Sequence, residues 1–199
     1  MRSLKDKFDD LCLRIGEGRR LESTGSDPIF YLVYGNSELL EVKRQTPAWV
    51  GKLVIKGWDV VSFSMVEEVG SILRNHPLRK QWLMGEKFIL QGAEESGTPP
   101  DITEIRKTIS KALSEGGELL NRLKEKMDEA AAKKNGLLLV TDLEALHPFL
   151  RINSLEAQLQ DSILCPVIVL YPGKREGKTS LRFHEFYPAD PNYRSEHIG

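Results

Sequence analysis

The chain has 199 residues, 28 Lys plus Arg against 29 Asp plus Glu, and a formal net charge of -1. That length suits a single α/β domain with a proper core, and the balanced charge argues against a surface dedicated to coating nucleic acid, which carries a basic excess. The composition, 40% hydrophobic without an apolar run of membrane-spanning length, predicts a cytoplasmic protein, and the early Asp6 is unlike a signal peptide.

Leu4, Phe8, Leu11 and Ile15 recur at helical spacing, which predicts an opening helix stopped by Gly16 and Gly18. Beyond the polar loop 22–27, Pro28 to Gly35 is a short apolar run of β-branched and aromatic residues and reads as a buried strand. Ser37 to Arg44 predicts a helix. Thr46-Pro47 then supplies an N-cap and a first-turn proline for a second one carrying Trp49, Val50, Leu53 and Val54. Asp59 to Ser64 follows as a strand, parallel to the first in a βαβ unit.

A helical insertion is expected over about 65–134. Val66, Val69, Ile72 and Leu73 mark one helix, and Trp82, Leu83, Phe88 and Leu90 mark another. A pair follows over 101–114 and 117–134, the last with an apolar stripe of Leu119, Leu120, Leu123, Met127 and Ala130. Gly136 to Thr141 and Pro166 to Tyr171 read as further buried strands, separated by a short helix capped by Ser154, with Leu155 and Leu159 on one face. Leu181 to Phe186 alternates and predicts an edge strand. The expected architecture is one domain over 1–199, a three-layer α/β sandwich around a mainly parallel sheet of about five strands. It is Rossmann-like, or a degenerate relative of phosphate-loop folds.

Two segments invite a nucleotide. Gly173-Lys174-Arg175-Glu176-Gly177-Lys178-Thr179 follows a buried strand and ends as a phosphate loop does. A phosphate loop has four residues between its glycines and then a helix, whereas three stand here and strand periodicity follows, which favours a hairpin loop. Asp142, after the apolar run Leu137 to Val140, resembles a Mg²⁺-holding acid, but an Asp there is also an ordinary turn cap.

His76, His147, His184 and His197 show no metal-ligand spacing and read as surface residues, and Cys12 and Cys165 as buried reduced thiols, so neither metal nor cofactor is expected. His147 lacks a nucleophile with a local signature, and no complete catalytic constellation emerges. Arg79, Lys80 and Trp82 mix base and aromatic as single-strand binders do, a weak pointer to nucleic acid.

His147-Pro148-Phe149-Leu150-Arg151, Ser154-Leu155, Leu159-Gln160, Cys165-Pro166-Val167 and Leu170-Tyr171-Pro172-Gly173 resemble the BrxB family of BREX (bacteriophage exclusion) systems. So do Ser180-Leu181-Arg182-Phe183 and Asn192-Tyr193-Arg194, although His147 stands where an apolar residue is expected. The resemblance spans Leu137 to Arg194. It implies a non-catalytic component of a bacterial defence system that blocks phage replication and methylates host DNA, with the phosphatase-like PglZ or another BREX protein as partner. Partner-binding candidates are Phe149, Arg151, Asn153, Tyr171 and Gly173 at strand exits, with Arg151 to pair a carboxylate and Tyr171 as an aromatic anchor. Equally, Arg151 and Asn153 serve only to hold a local turn. The alternatives are a nucleotide sensor using Asp142, Arg151 and Lys178, or a nucleic-acid-binding accessory protein.

Overall fold

Strands that are apolar on both faces must be covered on both, and that requirement organises this molecule. The computed structural model describes residues 2–18, 28–159, 163–177, 180–191 and 195–199. The polar loop 22–27, Gln160, Lys178, Thr179 and Asn192 to Arg194 lie outside the described residues.

The strands are β1 (Ile29–Tyr34), β2 (Asp59–Ser64), β3 (Gly136–Thr141), β4 (Val167–Glu176), β5 (Ser180–Phe183), β6 (Asp190–Pro191) and β7 (Glu196–Ile198). The helices are α1 (Leu4–Gly18), α2 (Leu39–Ile55), α3 (Met65–Asn75), α4 (Arg79–Ser96), α5 (Thr103–Ser114), α6 (Glu118–Ala131) and α7 (Ile152–Glu156). Across the main sheet the order is β2-β3-β4-β1-β7, every neighbouring pair parallel. This is the expected α/β class with about five parallel strands. β1 and β2 are parallel as predicted, but β3 and β4 lie between them.

Alternation along β1 divides the core. Phe30, Leu32 and Tyr34 pack with Leu137, Leu139, Ile168 and Leu170 under α1 and α2, where Phe8 and Trp49 stack at 4.7 Å. Ile29, Tyr31 and Val33 pack with Leu138, Val140 and Val169 under α3, α5 and α6. Leu119, Leu123, Met127 and Ala130 of α6 are buried there, as their spacing predicts. Each such leucine is worth about 1.5–3 kcal/mol of burial.

Several local expectations are corrected. Thr46-Pro47 starts no helix, because α2 runs through it from Leu39 to Ile55. The Thr46 hydroxyl donates to the Val42 carbonyl, and Pro47 lies on the exposed side, where the carbonyl it leaves without an amide faces water. Ser64 caps α3, so Met65, Val69 and Ile72 point inward while Val66 is exposed. Ser154 is no cap either. It lies inside α7 and donates to the Arg151 carbonyl at 2.6 Å.

The predicted edge strand is an arm of a hairpin. β4 is parallel to β1 and β3 in its first half, and from Gly173 to Glu176 it pairs antiparallel with β5. β2 and β7 take the edges instead. β5 ends at Phe183, since His184 and Glu185 are both left-handed, with φ of 49° and 64°. β7, which the sequence did not announce, buries His197 (7% exposed), the reverse of a surface histidine. The His197 Nε2 faces the Ser195 hydroxyl at 3.2 Å.

A Cβ on Gly136 would meet the Ala130 carbonyl oxygen at 1.6 Å, both of them backbone. Gly136→Ala therefore costs about 1–3 kcal/mol in urea denaturation. By contrast, Gly51→Ala, on an open face of α2, adds about 0.5–1 kcal/mol. Burial, aided by Arg175, lowers the His197 pKa from 6.5 to about 4. Only the unfolded chain takes up that proton between these values, so the stability involved is complete above pH 6.5 and lost as pH falls toward 4. Denaturation midpoints for His197→Phe should show a flatter pH slope in that window.

Candidate functional site

Because the strands are parallel, their carboxyl ends gather at one edge, where such sheets take ligands. Asp142 follows β3 in the left-handed region (φ 58°). Its Oδ2 accepts from the Thr141 hydroxyl at 2.7 Å and from the Ser64 hydroxyl, at the end of β2, at 2.9 Å. From α2, Lys43 Nζ reaches Asp142 Oδ1 at 3.1 Å and Glu144 Oε1 at 2.5 Å. Asp142 occupies the cap position of the 3₁₀ turn Leu143–Leu146, yet its carboxylate makes no cap bond there.

Electrostatics agree with this pairing. Burial pushes the Asp142 carboxyl up, but hydrogen bonds from Thr141, Ser64 and Lys43 outweigh it and hold the carboxyl below its ordinary value. The bond to Glu144, reinforced by Asp142, raises the Lys43 ammonium against the effect of burial. Tyr34 is also pushed up, chiefly by burial and further by Glu144 and Asp142. The acid that resembled a Mg²⁺ ligand is thus saturated by two hydroxyls and an ammonium from its own chain.

A second cluster forms where the residues after β5 fold back. The Tyr187 hydroxyl faces the His147 imidazole, 2.9 Å from Nε2. The Arg151 guanidinium lies 4.2 Å above the Tyr187 ring, and its Nη1 meets Asp190 Oδ2 at 2.9 Å. Asn36, just beyond β1, pairs with His184 Nδ1 at 3.0 Å, donates from its amide to the His184 carbonyl at 2.8 Å and gives its backbone N–H to Glu185. Burial lowers the pKa of both His147 and His184, and for His147 the charges of His184 and Arg151 add to it.

The five predicted partner-binding residues separate into two groups. Phe149, Arg151 and Asn153 are half-buried on one short segment leading into α7, and a groove beside them is lined by His147, Ser154, Phe183 and Tyr187. Tyr171 and Gly173 are interior, which corrects their reading as exposed. Tyr171 is 2% exposed and lies edge-on to Tyr31 and Phe183, each 5.5 Å away. Gly173 pairs with Phe183, and a Cβ there would come within 2.2 Å of the Arg182 carbonyl oxygen. It belongs to a continuous strand and not to a loop. The nearest turn residue is Gly177, with φ of 65°. Asp142 and Arg151 belong to different clusters, so the set imagined for a nucleotide is not assembled among the described residues.

Sequence reasoning missed Tyr187, Asp190, His184 and Lys43. The Tyr187 and Asp190 contacts bridge about forty positions, and Lys43 reaches its acids from another helix. The left-handed pair after β5 makes the reversal, and the alternation read through to Phe186 concealed it.

Among the described residues no helix is long and apolar enough to cross a membrane. No curated protein and no solved structure matches the chain. Residues 84–198, more than half of the chain, match the family model described as BREX protein BrxB. That stretch begins in α4 and takes in β3 to β7, hence Asp142, His147, Arg151 and their neighbours along the carboxyl edge. The chain therefore belongs to the BrxB family and is a component of a BREX phage-defence system.

Proposed function

We propose that the protein serves its BREX system as a non-catalytic docking component, and that the phosphatase-like PglZ or another BREX subunit seats on the surface of Phe149, Arg151 and Asn153. One observation carries this reading: the charged groups at the carboxyl edge are committed to one another. Lys43 is shared by Asp142 and Glu144, and Arg151 is clamped between Asp190 and Tyr187. Chemistry needs a group free to move a proton or meet a reacting atom. Docking needs a shaped, preorganised surface, since a side chain already held loses little freedom on binding.

Arg151 fits the second requirement. Its side chain is 35% exposed, lies over an aromatic ring and follows Phe149 by two residues. Planar arginines and aromatics at the centre of an interface carry a large share of its energy. Tyr171 and Gly173 support the surface from beneath, Tyr171 by packing on Phe183 and Gly173 by letting β5 approach closely.

Arg151→Ala should weaken capture of the partner subunit by about 2 kcal/mol or more, with Arg151→Lys intermediate because it keeps the charge but not the plane. Co-purification from cells expressing all BREX subunits checks this, and a protein that always elutes alone would falsify the docking reading. Lys43→Met strands Asp142 and Glu144 and should lower stability by about 1 kcal/mol, a modest figure because the lysine is partly exposed. Saturable Mg²⁺-ATP binding by the unaltered protein in calorimetry would instead require the nucleotide-sensor reading.

A further inference from the structure

α4 is an 18-residue helix without one buried side chain. Leu83, Met84, Phe88 and Leu90 are all exposed, Phe88 at 78%. Helices in proteins draw most of their stability from packing an apolar face, so this one is left with apolar surface that none of the described residues covers. Beside it lies a half-open apolar cavity of about 390 Å³ between α3, α4 and α5, lined by Leu73, Leu83, Ile102, Ile105 and Ile109 and closed at one end by Pro148 and Phe149.

The border of this cavity is basic. Arg74, Arg79 and Arg106 stand around it, with Glu86 as its one lining acid. None of the three arginines makes an ion pair among the described residues, whereas Arg14, Arg122, Arg151 and Arg182 each do. An aliphatic floor with a rim of three arginines against one lining acid, Asp101 lying close enough to Arg106 to feel its charge, is complementary to a ligand with an apolar core and an anionic rim.

We infer that this groove receives an acidic amphipathic helix of a partner protein, whose apolar side chains four apart enter the cavity while its carboxylates meet Arg74, Arg79 and Arg106. Helix-in-groove docking uses that spacing of anchors. The inference rests on the reading of the chain as an interaction module, but it concerns the far side of Phe149 from the surface that holds Arg151.

Two other occupants fit less well. Single-stranded nucleic acid needs free aromatic faces for its bases to stack on. Trp82 is the aromatic of α4 that lines the cavity, and one face of its ring is stacked on His76 at 4.6 Å while its indole N–H donates to the Thr108 hydroxyl at 3.0 Å. A second copy of the chain, docking face to face about a two-fold axis, would bring the same three arginines against themselves.

The test uses the full chain and a fluorescein-labelled helical peptide with leucines four apart and glutamates flanking them, beside a counterpart with lysines for glutamates. The acidic peptide should bind saturably in fluorescence anisotropy and weaken with salt. The double variant Arg79→Glu/Arg106→Glu, altered only at exposed positions, should lose at least about tenfold in affinity. Arg151→Ala should leave peptide binding unchanged, so loss of subunit capture in that variant with peptide binding kept separates failure of one surface from failure of the other. Absence of saturable binding, equal affinity for the lysine peptide, no effect of the double charge reversal, tighter binding of single-stranded oligothymidine, or dimerisation that blocks the peptide each overturns the inference.

Discussion

The ten residues of β4 are paired along almost their whole length, and the carboxyl edge depends on how that pairing changes partway. From Val167 to Pro172 the strand lies beside β1, and its first residues also lie beside β3. From Gly173 it outlasts those neighbours and takes β5 as an antiparallel partner. A strand that stopped with its neighbours would leave the sheet's edge open, with the next segment free to become a helix and present its amides to an anion. Continuing as a strand removes that option. It also forces the chain to return over the edge, which delivers His184, Tyr187 and Asp190 to His147 and Arg151.

Gly173 makes the close return possible, because the β5 backbone passes where any other residue would carry its Cβ. Beneath it Tyr171 fills the space between Tyr31 and Phe183. The same geometry that removes these two residues from the surface therefore fixes the height at which Arg151 and Tyr187 meet. On the other flank the edge is closed by charge. Lys43 arrives from α2 and Ser64 from the end of β2, so Asp142 ties together elements from both faces of the sheet.

Much of the fold was legible in the chain itself. β1 and β3 are short apolar runs at their predicted places, because burial on both faces leaves an unmistakable composition, and β2, half-exposed at the edge, also lies where it was expected. The α6 stripe was equally plain. Thr46-Pro47 misled because a cap followed by proline is a local signal, and continuity of α2 across the sheet face outweighed it. β7 was invisible because three residues carry no periodicity, and their pairing with β1 is created by the tertiary fold. The candidate site was harder still. Tyr171 looked like an anchor because strand exits are usually open, and only the hairpin that covers it, built from residues ten or more positions later, says otherwise. Spacing did dispose of the phosphate loop, since the three-residue gap and the alternation after it both belong to a hairpin.

Phe149 borders both candidate surfaces. On one side it borders the groove of His147 and Tyr187, and on the other it closes the cavity beneath α4. Its carbonyl accepts from the Ser110 hydroxyl of α5 at 2.9 Å, which ties the segment leading to Arg151 to the helices between β2 and β3. A ligand that shifts α5 must therefore either break that bond or carry the Phe149 segment along. Arg151 lies two residues away and is fixed at its far end by Asp190. The two surfaces thus stand side by side on one short stretch of backbone, each built from its own charged groups, Arg151 with Asp190 on one and Arg74, Arg79 and Arg106 on the other.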